Sequence, residues 1–131
     1  MIKVCPTYDP DTHKAIDDFS EEPDGAGGVQ LVQQVVALTP DEITQRVGDA
    51  VQRHLDTTVQ ARGYESIHTC VTYADEPAVP RFQAEGQAAR AWRSAVWAAC
   101  YAALDDVLAG RRAPLTPAAM VAELPALVWP D

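Results

Sequence analysis

The stretch TPDEITQRVGDAVQRHLDTTVQARG, residues 39–63, decides how the chain divides. Thr39 and Glu42 have the spacing of a capping box, and Pro40 stands at the first helical position, so this stretch opens like a helix. Apolar residues then recur at helical spacing, and Gly63 is a typical helix stop. The pattern predicts a helix over residues 40–62, about 35 Å long at 1.5 Å per residue.

Three further helices are predicted downstream of this one. They cover residues 65–74, residues 80–109, where Pro80 begins the helix and Gly110 stops it, and residues 117–124, which Thr116 caps. The long helix carries two apolar stripes, so we expect neighbours to cover more than one of its faces. The first stripe comprises Phe82, Gly86, Ala89, Trp92, Val96, Ala99, Ala103 and Val107, and the second comprises Trp97, Tyr101, Leu104 and Leu108.

The residues before Thr39 are typical of strands and turns. Residues 29–38 are rich in β-branched side chains, residues 2–4 alternate, and residues 13–19 are a candidate return strand, whereas the acidic, glycine-rich residues 21–28 predict a solvated loop. Apolar residues occur at both parities of residues 29–38, which indicates a β-bulge or a strand covered on both faces. We therefore expect an α+β protein. A short antiparallel β-element would occupy residues 1–38, and a mainly helical bundle would occupy residues 39–131.

Acidic residues outnumber basic ones and concentrate near the N-terminus. The 131 residues include 19 Asp and Glu against 10 Lys and Arg, which gives a net charge of −9, and −5 of it falls in the first 28 residues. This sign argues against non-specific binding to nucleic acid or anionic membranes. No apolar run approaches the roughly 20 residues of a membrane span, and the N-terminus lacks the apolar stretch of a signal peptide. We expect a soluble protein made in the cytoplasm.

Residues capable of catalysis or metal binding do not fall at the spacings that such sites need. His13 stands among aspartates without the glycine of a calcium loop, and His54 has no ligand four residues away. His68 and Cys70 are two residues apart, which places them on different sides of a helix, and the glycines of residues 25–28 lack the lysine of a phosphate-binding loop. The sequence predicts no catalytic residue, no metal site, no cofactor and no enzymatic activity.

Three cysteines, Cys5, Cys70 and Cys100, are an odd number at wide spacing. A secreted disulfide framework has an even and denser set. Oxidation could pair Cys70 with either of the other two. The prediction is three reduced thiols, buried as small apolar side chains.

Several strings within residues 39–130 together resemble a known family. They are ARGYESI at 61–67, VTYA at 71–74, RFQAEGQAARAWRSAVW at 81–97 and PLTPAAMVAELPALVWP at 114–130. This part of the chain resembles the helical C-terminal segment of small tail-fibre-associated proteins of tailed phages and prophages. The closing Trp129-Pro130 is similar to the ending of tail fibre assembly proteins. The resemblance does not extend to the first 28 residues.

The resemblance implies a non-enzymatic protein that binds a tail fibre or baseplate component. Its implied role is an assembly chaperone in the host cytoplasm or a small subunit of the virion tail, with homo-oligomers possible and no nucleic acid or membrane partner. The alternative is a small acidic cytoplasmic regulator or inhibitor that binds a host protein. Because aromatic anchors dominate binding hot spots and sheet edges accept strands, the predicted partner-binding residues are Trp97, Tyr101, Leu127, Val128, Trp129, Val29 and Leu31.

Overall fold

The computed structural model describes residues 2–131 as a three-stranded sheet followed by four helices, which confirms the predicted α+β class. The chain forms two compact units that divide between Ile43 and Thr44. We call the part up to Ile43 the sheet unit and the part from Thr44 to Asp131 the helical unit. Within residues 2–131, none of the helices has the length and apolar character needed to cross a membrane.

The sheet consists of β1 (Lys3–Val4), β2 (His13–Pro23) and β3 (Val29–Ala37), with β3 in the middle. The β2–β3 pair is antiparallel as predicted, but β1 runs parallel to β3, so the sheet is mixed. The reason is the connection at residues 5–12, which turns the chain round and leaves β1 and β2 on opposite sides of β3.

Strand β2 is irregular and longer than predicted. Its register against β3 shifts between Ala15 and Phe19, so the bulge lies in β2 and not in residues 29–38. The ladder continues to Pro23, and the predicted loop is therefore wrong for residues 21–23. In the remaining turn the Asp24 carboxylate accepts hydrogen bonds from the amides of Ala26 and Gly28, which hold the pKa of Asp24 below its usual range.

Neither face of the sheet is sealed from solvent. The register places Leu31 and Val35 on one face with Phe19, and Val32 and Val36 on the other. Every residue of the three strands is at least partly exposed, and Leu38, directly after β3, is the buried apolar residue of the described sheet unit. Backbone pairing therefore holds this unit together with little apolar burial to support it.

The helices agree with the prediction to within a few residues. They are α1 (Pro40–Gln60), α2 (Ile67–Thr72), α3 (Pro80–Leu108) and α4 (Pro117–Glu123), and a 3₁₀ turn at Tyr73–Asp75 extends α2. The capping box at the start of α1 is formed in both directions. The Glu42 amide donates to Thr39 Oγ1 and the Thr39 amide donates to Glu42 Oε1, each at 3.2 Å.

The helical unit has a continuous apolar core to which all four helices contribute. Gly86 lets α3 pack directly on a neighbouring backbone, since a Cβ added there would lie 2.6 Å from the Ala74 nitrogen and 2.9 Å from the Cys70 carbonyl oxygen. The buried core residues are Val47, Val51, Leu55, Val59, Ile67, Cys70, Ala89, Trp92, Val96, Cys100, Ala103 and Met120.

The cysteines are all free, but they differ in environment. Cys70 and Cys100 are buried as predicted, and burial raises the pKa of both thiols, to about 11 for Cys70. Cys5 is exposed, so the prediction of burial is wrong there. The reason is that Cys5 follows a two-residue strand in the sheet unit, where no apolar layer covers the chain.

Candidate interaction surfaces

The C-terminal residues 124–131, which we call the C-terminal strap, lie against the helical unit. Trp92 Nε1 donates a hydrogen bond of 2.7 Å to the Pro125 carbonyl oxygen. The Trp129 ring stacks on the Tyr64 ring at 6.3 Å between centroids, and the Arg62 guanidinium lies 5.1 Å from the Trp129 centroid. Contacts between side chains thus hold the strap against the rest of the helical unit, although the strap forms no regular secondary structure.

Three of the predicted partner-binding residues belong to this strap, and the structure separates them. Leu127 and Trp129 pack against the core of their own helical unit and are partly buried. Val128 points outward with 81% of its surface exposed. Of these three residues, Val128 is therefore the exposed one while the strap lies on the helical unit.

A buried carboxylate lies beneath the residues that hold Trp129. Glu85 is 1% exposed, and its carboxylate accepts from Arg62 Nε at 2.6 Å and Arg81 Nε at 3.2 Å. The Tyr64 hydroxyl donates to the same carboxylate at 3.3 Å. Burial disfavours the phenolate and the Glu85 charge repels it, so the pKa of Tyr64 rises to about 12. We call this group, with Trp129 above it, the Glu85 clasp.

Sequence reasoning missed Glu85. Its signal was available, because Glu85 stands beside Gly86 and one turn before Ala89 on the buried face of α3, where a charged residue needs a partner. Arg81 four residues earlier was one such partner at helical spacing. Arg62 was not identifiable in this way, since it lies 23 residues away in the sequence.

The second apolar stripe of α3 is an open surface. Trp97, Tyr101, Leu104 and Leu108 form this row, which we call the aromatic stripe. Trp97 and Leu104 are half-buried against the core, whereas 60% of Tyr101 and 72% of Leu108 remain exposed. The Trp97 and Tyr101 rings stack at 5.8 Å and 28°.

Packing covers the second stripe only in part. The expectation that neighbours cover more than one face of α3 is wrong for Tyr101 and Leu108, whereas Trp97 and Leu104 do pack against the core. Helix α3 has 29 residues, but α2 has 6 and α4 has 7. Helices this short span about 10 Å each at 1.5 Å per residue, against about 43 Å for α3. These two short helices cannot line two whole faces of the long helix, and Tyr101 and Leu108 of the second stripe are left to solvent.

The strand residues predicted to bind partners lie on one face of the sheet. Val29 is 49% exposed and Leu31 is partly buried, and both share their face with Phe19. The Lys3 ammonium lies 5.2 Å from the centroid of the Phe19 ring on that face. These residues belong to the sheet unit and form a surface of their own.

The histidines considered as ligands or bases lie in ordinary environments. His13 Nδ1 lies 2.7 Å from Thr12 Oγ1, the His54 ring meets the edge of Trp92 at 5.9 Å, and His68 is exposed. Among residues 2–131 no group of three or more His, Cys, Asp or Glu side chains is placed to hold a metal ion.

A scan against protein-family models, a search of curated proteins and a search of solved structures each found no match to this chain.

Proposed function

We propose that this chain is a non-enzymatic protein that binds a tail fibre or baseplate component of a tailed phage, as an assembly chaperone or a small structural subunit. The observation that carries the binding role is the aromatic stripe, a row of large apolar side chains left open on α3. Rows of this kind mark protein interfaces when they exceed scattered single residues. The phage assignment is supported by the resemblance of residues 39–130, and one of the strings that carry this resemblance, 81–97, ends at Trp97.

The geometry of the stripe suits a helical or groove-like partner. Its four residues follow each other at intervals of four, three and four, so they form one line along α3. From Trp97 to Leu108 the line measures about 16 Å at 1.5 Å per residue. Anchors at this spacing are those of a helix that packs in an apolar groove.

Two features prepare the stripe for binding. Trp97 and Leu104 are half-buried, so their side chains are already ordered before a partner arrives. The Tyr101 ring leans on Trp97, which reduces the conformational entropy that Tyr101 loses on binding. A partner that covers Tyr101 and Leu108 therefore gains apolar burial at a reduced entropic cost.

The test is affinity capture from host cells in which the phage is assembling its tails. The tagged wild-type chain is compared with a Tyr101→Ser/Leu108→Ser variant, which changes the two most exposed residues of the stripe. An Ala91→Ser/Ala102→Ser variant is the matched control, since both alanines are exposed on another face of α3. We expect a fibre or baseplate protein to be enriched by the wild type and the control, and to fall at least tenfold with the stripe variant.

Two other results would contradict the proposal. Capture of a host regulatory or DNA-binding protein, with no tail protein, would favour the alternative of an acidic regulator. Equal capture of the tail protein by the wild type and the stripe variant would show that the stripe is not the binding surface. Quantitation of the chain in purified virions then separates the two roles, because a chaperone is absent there and a subunit has a fixed copy number.

A further inference from the structure

The outer edge of β2 is an open sheet edge. Within residues 2–131, β2 pairs with β3 alone, so its other side has no sheet partner, although the Phe19 amide donates to Asp18 Oδ1 at 3.0 Å and Pro23 has no N–H to offer. Phe19–Pro23 is the uninterrupted part of this edge, because the register shift ends at Phe19. Five residues are a common length for a strand. None of them is buried.

This edge carries a surplus of negative charge. Glu21 and Glu22 lie within Phe19–Pro23, Asp17 and Asp18 lie in the bulge before it, and all four are exposed. Within residues 2–131 none of the four lies in an ion pair. The two lysines of the sheet unit are engaged elsewhere, Lys14 with Glu42 at 2.6 Å and Lys3 over the Phe19 ring.

The charge decides among the possible occupants of this edge. A second copy of the chain that paired edge to edge would bring its own four carboxylates beside these four, and like charges across a strand pair are destabilising. An extended protein segment with lysine or arginine supplies both the missing backbone partners and the opposite charge. The acids thus block self-pairing while they admit a basic strand.

We propose that Phe19–Pro23 binds an extended, Lys/Arg-bearing segment of another protein by β-strand addition. Glu21 and Glu22 are consecutive, so they point to opposite faces of the sheet. Two adjacent basic residues in the added strand meet both carboxylates, one on each face, and an apolar residue two positions from one of them meets Phe19. This edge belongs to the sheet unit and the aromatic stripe to the helical unit, so the two proposals can fail separately.

The experiment uses the full chain and a synthetic ten-residue peptide. The peptide alternates threonine and valine, carries a Lys-Arg pair at its centre, and is acetylated and amidated. One control peptide has its central amides N-methylated, which keeps the charge but removes the strand hydrogen bonds. A second has glutamate in place of the basic pair. Binding is followed at 0.15 M salt by backbone amide chemical shifts and by hydrogen exchange.

We expect the basic peptide to shift the amide signals of residues 19–22 and to protect those of their N–H groups that face the open edge, and both control peptides to bind at least tenfold more weakly. Equal binding by the N-methylated peptide would overturn the proposal, since it would show attraction without strand pairing. Shifts confined to residues outside β2 would overturn it as well. These comparisons use the wild-type chain and so do not depend on the folding of any variant.

Two charge-reversal variants test whether the carboxylates of the β2 edge attract the peptide. A Glu21→Lys/Glu22→Lys variant should lose at least tenfold in affinity for the basic peptide. A Glu65→Lys/Asp105→Lys variant changes the net charge by the same amount at exposed positions of the helical unit and should stay within about twofold of the wild type. Equal losses in the two variants would mean that net charge, and not the β2 edge, attracts the peptide, which would contradict the proposal.

Discussion

The sheet unit and the helical unit are stabilised in different ways. In the helical unit twelve buried residues from four helices form one core. In the described sheet unit a single apolar residue, Leu38, is buried, and the strands expose both of their faces. Apolar burial at about 25 cal/mol per Å² is the main favourable term in folding, so the two units cannot be equally stable. The difference places most of the apolar stabilisation in the helical unit and little of it in the sheet unit.

The largest consequence is a difference in local stability. We expect backbone amides in the middle of α1 and α3 to exchange with solvent about a thousandfold more slowly than those of β2, a gap of about 4 kcal/mol in opening free energy. Native-state hydrogen exchange read by NMR, with rates corrected for sequence, measures this directly. Equal protection in β2 and α3 would break the comparison, since the sheet would then open only when the helical unit unfolds.

The next largest effect concerns the close approach of α3 to its neighbour. Gly86→Ala should destabilise the helical unit by about 3 kcal/mol, because the new methyl group collides with backbone atoms that cannot move aside as a side chain would. Urea unfolding followed by circular dichroism measures the loss.

Gly48 is the matched control, since it also lies within a helix, α1, and an added Cβ there would meet nothing within 4 Å. Gly48→Ala should stabilise the chain by up to about 1 kcal/mol through helix propensity. If both substitutions stabilised the chain, α3 would not pack on the 3₁₀ turn as tightly as the 2.6 Å between an added Cβ at Gly86 and the Ala74 nitrogen implies.

The helical unit was largely predictable from the sequence because its signals are local. Thr39 with Glu42, Pro80, and Thr116 with Pro117 mark helix starts through contacts within one turn, and each start is where it was predicted. The parallel pairing of β1 was not predictable, because it joins residues nearly thirty positions apart, Lys3 with Leu31.

The candidate surfaces were predictable as residues but not as environments. Trp97, Tyr101 and Trp129 were identified as aromatic anchors from the sequence. Whether an anchor stays exposed depends on which element packs over it, and that is a tertiary property. The Trp129 ring of the strap packs against Arg62 and Tyr64 of the helical unit, whereas Tyr101 stays 60% exposed.

A smaller effect is expected at the Glu85 clasp. Glu85→Gln should cost about 2 kcal/mol, because a buried carboxylate that two arginines and a tyrosine need is replaced by an amide that satisfies them poorly. Glu65→Gln, at an exposed carboxylate, is the control and should change the free energy of unfolding little. Similar losses at the two positions would show that burial does not distinguish them.

The Glu85→Gln variant should also change the pKa of Tyr64. The pKa of Tyr64 is raised to about 12 in the folded chain, so its contribution to stability is complete below pH 10 and is lost as the pH rises from 10 toward 12. Without the Glu85 charge the pKa of Tyr64 should fall toward its ordinary value. Tyrosinate absorbance, with Tyr64→Phe to assign the signal, follows this change. An unchanged pKa would mean that burial alone sets it.

The smallest effect is expected at the ion pair of the sheet unit. Lys14 Nζ lies 2.6 Å from Glu42 Oε2, yet both side chains are about one-third exposed, so water screens the pair. The hydrogen bond from Lys14, followed by that from the Thr39 amide, holds the pKa of Glu42 below its usual range. A carboxyl group whose pKa is lowered in the folded state stabilises the fold at every pH above its unfolded-state pKa. This contribution disappears as the pH falls through the folded-state pKa.

Lys14→Met should therefore raise the pKa of Glu42 toward its ordinary value without restoring it fully, since the Thr39 amide still donates to the carboxylate. Carboxyl carbon chemical shifts followed by NMR during an acid titration measure the change. Lys3→Met removes the other lysine of this unit, which lies over Phe19, and should leave Glu42 unaffected. A loss of stability with Lys14→Met as large as that with Glu85→Gln would contradict the comparison. It would mean that the sheet unit depends on its ion pair as strongly as the helical unit depends on its clasp.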